Sequence, residues 1–242
     1  VNPRVVVEIA VQDGAGARTA VATGADRVEL CSALGVGGLT PSVGVLDRVC
    51  VEIGAERVNV LVRPRAGGFV YDDDEVDVVC RDIRAAVERG VGGVVVGALT
   101  RAGDLDRDTL RRWRDAAGET AVVFHRAIDA SPVPDGVFDA LLDEGVARVL
   151  TSGGASRSVD GIARLGEYVA RAGTDLEVMA GGGVRPADIS ALVAVGVPAV
   201  HLSARGRVSD GAPSGPGGGA DEGYDVTDGA VVEEAVAAAR GA

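Results

Sequence analysis

A single (β/α)8 barrel is the fold the sequence predicts, on three observations. Eight short valine-rich runs recur along the chain, helix-period segments separate them at roughly thirty-residue spacing, and the 242 residues match the ~250 such a barrel needs. The strand candidates are VVVEIA (5–10), RVELC (27–31), VNVLVR (58–63), GVVVGAL (93–99), AVVFHRA (121–127), RVLTS (148–152), EVMAGG (177–182) and AVHLSA (199–204). Each is bounded by Gly, Asp or Pro and rich in Val, as strands buried on both faces are. Among the helical segments, DDDEVDVVCRDIRAAVERG (72–90) opens with three Asp at the positive end of the helix dipole, and both it and SVDGIARLGEYVARAG (158–173) close on Gly. Shorter helices fit 13–22, 42–53, 106–117, 134–144, 185–195 and 227–240. A doubly wound sheet is the alternative, and the eighth strand–helix unit favours closure. The glycine-rich stretch 205–224 is expected to be a mobile loop inside this one domain (1–242), either a plain connection or a lid.

Composition excludes several functions. All 24 basic residues are Arg. Schiff-base aldolases, lysine-anchored pyridoxal phosphate enzymes and Walker-loop NTPases all need a Lys, so they are out. His125 and His201 are the only histidines, which removes multi-His metallohydrolases. A net charge of −12 opposes nucleic acid as a partner. No stretch approaches the ~20 apolar residues of a membrane span, and VVVEIAV is cut by Glu8, so a cytoplasmic protein is expected. Cys31, Cys50 and Cys80 form no CxxC pair. Cys50 and Cys80 sit in helical periodicity as small core residues, whereas Cys31 ends a strand.

Barrel chemistry sits at the C-terminal ends of strands. The polar residues there are Glu8, Glu29, Cys31, Arg63, Arg65, His125, Arg126, Asp129, Thr151, Ser152, His201, Ser203 and Arg205. Buried charge is costly unless paired, so these groups either neutralise one another or build a pocket for a small ligand. AGGGVRP (180–186) follows strand seven, where glycines let backbone N–H groups meet an anion; a tight turn alone also explains Gly181, Gly182 and Gly183. In FHRAID (124–129), His125 beside Arg126 is either an acid–base group or a satisfied core His. Glu29 and Cys31 share one strand face, as a soft-metal pair or with the thiol simply packed.

GADRVELCSALGVGGLTPSVGVL (24–46), VRPRAGGFVYDDDE (62–75), VVFHRAIDA (122–130), RVLTSGG (148–154), AGGGV (180–184) and VHLSAR (200–205) together resemble the CutC family of copper homeostasis proteins, in order and over most of the chain. The resemblance implies a TIM barrel, a cytoplasmic location, oligomerisation (often a dimer) and copper(I) binding. Glu8, Glu29, Arg63, Arg65, His125, Arg126, Asp129, Ser152 and Ser203 stand at matching motif positions. Relatives commonly carry Cys on the first strand, where this chain has Ala10 and Val11, so only Cys31 carries over as a thiol ligand. Two functions follow as expectations. One is copper(I) binding at Cys31, with a second thiol from a neighbouring subunit. The other is a lyase or isomerase acting on a phosphorylated or carboxylated metabolite. There Glu8 or Glu29 would be the base, His125 the acid, Arg63 and Arg126 the anion clamp, and the 181–183 glycines with Ser203 the phosphate cradle. A divalent cation at Glu8 and Glu29 would serve the same chemistry. A non-catalytic sensor would use the same pocket.

Overall fold

Alternation of side chains decides what each strand shows to the helices and what it keeps inside. In β1 (Val6–Val11), Val7, Ile9 and Val11 pack into the main core, while Val6 joins Leu150, Met179 and Ala199 in a separate inner cluster. Glu8 and Ala10 share the inward side with Val6. The same parity runs through β2 (Arg27–Leu30), β3 (Val58–Leu61), β4 (Gly93–Val96), β5 (Ala121–Phe124), β6 (Arg148–Thr151), β7 (Glu177–Gly181) and β8 (Ala199–Leu202). These eight parallel strands close in sequence order, with β8 returning to β1 so that Glu8 lies beside Arg27 on one side and His201 on the other. The computed structural model describes residues 4–209 and 223–242.

The outer layer is α1 (Gly14–Ala22), α2 (Val43–Ile53), α3 (Asp73–Val87), α4 (Arg107–Ala117), α5 (Pro134–Asp143), α6 (Ile162–Ala172), α7 (Ile189–Ala194) and α8 (Gly229–Arg240). At α3 a capping box fixes the start: the Glu75 N–H donates to Asp72 at 2.8 Å and the Asp72 N–H donates to the Glu75 carboxylate at 3.0 Å. Trp113 of α4 is buried against α3, its indole N–H donating to the Val76 carbonyl at 3.3 Å. Phe138 and Tyr168 stack between α5 and α6 at 4.0 Å. No helix among the described residues is long and apolar enough to cross a membrane.

The expected loop after strand eight differs at both of its ends. Arg205–Val208 forms β9 and Tyr224–Thr227 forms β10, an antiparallel pair. The backbone leaves β8 at Ala204, whose φ is 40°, and Arg205 pairs with Asp225 at 3.2 Å. Val208, Tyr224, Val226 and Thr227 are strand formers that the abundance of glycine masks. Residues 210–222 of that stretch lie outside the described residues. The last helix therefore starts at Gly229 rather than 227, capped by Asp228, which accepts the Ala230 N–H at 2.9 Å.

Candidate functional site

On β2, β6 and β7 the first inward position carries charge, Arg27, Arg148 and Glu177, where most barrels carry Val, Ile or Leu. Arg27 donates from Nε to Glu8 at 2.6 Å and from Nη2 to Glu177 at 2.7 Å; Arg148 also donates to Glu177. Asn59 donates to the same Glu8 oxygen at 2.7 Å, and His201 Nδ1 lies 2.9 Å from the other. Burial alone would raise the Glu8 carboxyl, but the His201 hydrogen bond and the Arg27 charge outweigh it and hold the group well below the usual carboxylate range. Burial would likewise lower His201; the Glu29 and Glu8 charges reverse this and raise it.

Above this floor a cavity of about 240 Å³ opens at the C-terminal end of the barrel. Its wall includes Glu29, Arg63, His125, Arg126, Gly182, Gly183, His201, Ser203 and Arg205 from the sequence-predicted residues, together with Phe69. Burial, with Glu8 adding to it, pushes the Glu29 carboxyl up to about 7, the positive His201 opposing. Burial and then the Arg63 charge push His125 down to about 3. Glu29 Oε2, Arg63 Nε and His125 Nε2 are buried and have no hydrogen-bond partner among the described residues. All three belong to the same cavity wall.

Arg63 is 7% exposed and forms no ion pair among the described residues. Its guanidinium donates to the carbonyls of Val36 (3.3 Å), Gly38 (3.2 Å) and Gly67 (2.7 Å) and lies over the Phe69 ring at 5.1 Å. Arg126 is oriented by Asp129 at 2.8 Å and by Ser152 at 3.1 Å. The guanidinium lies flat against Gly182 (φ +117°), where a Cβ would fall 2.8 Å from its Cζ.

Other predicted residues sit off the cavity wall. Glu8 is fully buried beneath it. Asp129 accepts from Thr151 Oγ1 (2.6 Å) and from the N–H groups of Ser152 (3.0 Å) and Gly154 (3.1 Å) as well as Arg126, so its lone pairs are spent on positioning. Ser152 donates to the Ala155 carbonyl at 2.6 Å. A Cβ on Gly181 would fall 2.3 Å from Leu150 Cδ1, which makes it a packing glycine. Arg65 pairs with Glu75 at the start of α3 and lies over Tyr71. Cys31 packs with Leu61, Val95 and Val123, and burial, then the Glu29 charge, push its thiol up to about 12.

Arg27, Asn59, Arg148 and Glu177 stand outside the polar set read from the strand ends. Their signal was spacing: Arg27 stands two residues before Glu29, Asn59 four before Arg63 and Arg148 four before Ser152, all at inward parity. Donor atoms of Glu8, Glu29 and His201 lie within 4.8 Å of one another, a set of oxygen and nitrogen ligands. For copper(I), which prefers sulfur, the fit is poor. No second sulfur shares the Cys31 cluster among the described residues, and Met179, whose sulfur takes an Arg27 N–H at 3.4 Å, lies in the other inner cluster.

Fold and site together define a (β/α)8 barrel protein with a polar, ligand-sized mouth. The chain belongs to the CutC family, whose model matches residues 5–206. It is 42% identical to a CutC family protein of Agrobacterium fabrum over 78% of this chain and 74% of the relative. One from Xanthomonas campestris pv. campestris is also 42% identical, covering 84% and 85%. Among solved structures it matches CutC of Streptococcus agalactiae, a copper homeostasis protein by name. The TM-score is 0.72 at 30% identity, covering 81% of this chain and 97% of that one.

Proposed function

We propose that the barrel mouth binds a small anionic metabolite and performs proton-transfer chemistry on it, as a lyase or isomerase does. The observation that carries this reading is Arg63, a buried guanidinium with no carboxylate partner among the described residues. Such a charge costs several kcal/mol unless a counter-ion arrives, and an anionic ligand is that counter-ion. Arg63 and Arg126 hold the anion, the 182–183 backbone with Ser203 and Arg205 takes a second anionic group, and Glu29, ionised above pH about 7, accepts a proton. Glu8 keeps His201 in place beneath. The test is calorimetry against phosphorylated and carboxylated metabolites. A ligand is expected whose affinity falls at least about 30-fold in Arg63→Ala, in line with the cost of unpairing a buried charge. If every ligand found binds the variant equally well, the reading is wrong.

The second reading starts from the copper homeostasis in the Streptococcus relative's name and makes this chain a cytoplasmic homodimer that binds copper(I). What favours it is the Cys31 thiol two residues from Glu29, with a partner subunit supplying the second sulfur. Stoichiometric copper(I) binding against a competing chelator, abolished in Cys31→Ser, would make copper the cargo; light scattering reads the dimer directly. The oxygen and nitrogen atoms of Glu8, Glu29 and His201 better suit a divalent cation, which would supply Lewis acidity beside the anion.

A further inference from the structure

His125 has two ring nitrogens in different situations. The Ala127 N–H donates to Nδ1 at 3.1 Å, and a nitrogen that accepts a hydrogen bond carries no proton of its own. In the uncharged ring the proton therefore sits on Nε2, which is buried and without a partner. The ring packs closely against Gly97 and Phe69. A Cβ on Gly97 would fall 2.3 Å from its Cε1 and 2.4 Å from Nδ1, and the Phe69 ring lies 4.9 Å away at 54°. Protonating Nδ1 would break the Ala127 bond and set a second positive charge near Arg63, in a site already desolvated.

Arg63 is in a matching state. Both terminal nitrogens donate to the carbonyls of Val36, Gly38 and Gly67, and Nε is the one guanidinium nitrogen without a partner among the described residues. Each residue thus keeps one buried nitrogen without a partner among the described residues, and both residues border one cavity and contact Phe69.

We propose that Arg63 Nε–H and His125 Nε2–H form a two-donor seat for an oxyanion of the ligand, a carboxylate, enolate or phosphate oxygen, in which His125 is a fixed uncharged donor and not an acid–base group. This rests on the reading of the mouth as an anion site and gives that site its point of charge recognition. A preorganised donor of this kind stabilises negative charge as it develops and needs no proton transfer of its own.

The experiment is nitrogen-15 NMR of the histidine-labelled full chain, with oxalate and inorganic phosphate as probes and His125→Asn and His201→Asn to assign the two rings. The expected result is an Nε2–H tautomer for His125 that stays unchanged from about pH 5 to pH 9. Its Nε2–H resonance should move saturably with one of the probes. Oxalate acting alone identifies a carboxylate seat, and phosphate acting alone a phosphoryl seat. The same probe should bind at least tenfold more weakly to Arg63→Met and to His125→Phe, and within about threefold of wild type to His125→Asn, which keeps an N–H donor. An Nδ1–H tautomer, a titration near pH 6.5, or a resonance that neither anion moves overturns the seat. A probe that binds in an Arg63-dependent way yet leaves His125 unmoved sinks the seat and spares the anion site; loss of all Arg63-dependent binding sinks both.

Discussion

Glu29 shares its buried corner with Glu8 and His201, and its protonation is set by that company. Its folded value near 7 lies above the 4.5 of an ordinary Glu. The protonated form is the one folding favours, so its stabilising contribution is complete below about pH 4.5 and is lost as pH rises through 7. Glu29→Gln, a permanent mimic of the protonated acid, removes this dependence. Urea unfolding at pH 5 and pH 8 should show wild type losing roughly 2–3 kcal/mol relative to the variant across that interval. His125 runs the other way: its folded value near 3 gives stability that is present above pH 6.5 and lost on acidification. At this scale the sequence was informative about identity and weaker about orientation. Glu29, Arg63 and His125 were legible from charge at strand ends. The hydrogen bond from Ala127 that fixes the His125 tautomer belongs to a turn whose geometry no residue pattern announces.

Strands and helices were legible because their periods are strong. Valine-rich runs marked all eight strands, and the three Asp at 72–74 marked the start of α3. Replacing Asp72 with Ala removes the side-chain acceptor of the Glu75 N–H while keeping the backbone donor to Glu75, and should cost about 1 kcal/mol in chemical denaturation, with little effect at the mouth. Gly97→Ala tests a contact between elements. A methyl at this position, just beyond β4, collides with the His125 ring, so a loss of about 1–3 kcal/mol is expected together with displacement of the Nε2–H resonance. An unchanged His125 signal in that variant would mean the ring is not pinned there. β9 and β10 escaped notice because four-residue strands flanking a glycine-rich segment carry too few alternations to outweigh it.

Across the whole molecule the barrel axis is held by charge contributed from widely separated strands. Arg27 reaches Glu8 on β1 and Glu177 on β7, and Arg148 reaches Glu177 from β6. Removing one member strands its partner in a low-dielectric interior. Arg27→Met should therefore lower unfolding stability by about 3–5 kcal/mol. The double variant Arg27→Met with Glu8→Gln should recover a measurable part of it, because Gln is uncharged and still accepts from Asn59. A double-mutant cycle reads the coupling, and additive losses would refute it. Closure was legible from eight units. The inner network was not, because its partners are paired only once the ring is closed.

That network also constrains how such a protein can change over generations. An arginine encoded early in the chain is tied to a glutamate 150 residues later, so neither codon can drift freely while the other stands. The heritable unit at the barrel axis is the charge pair. A library built from single substitutions would find those positions frozen, whereas one that mutates both sites together would find them open.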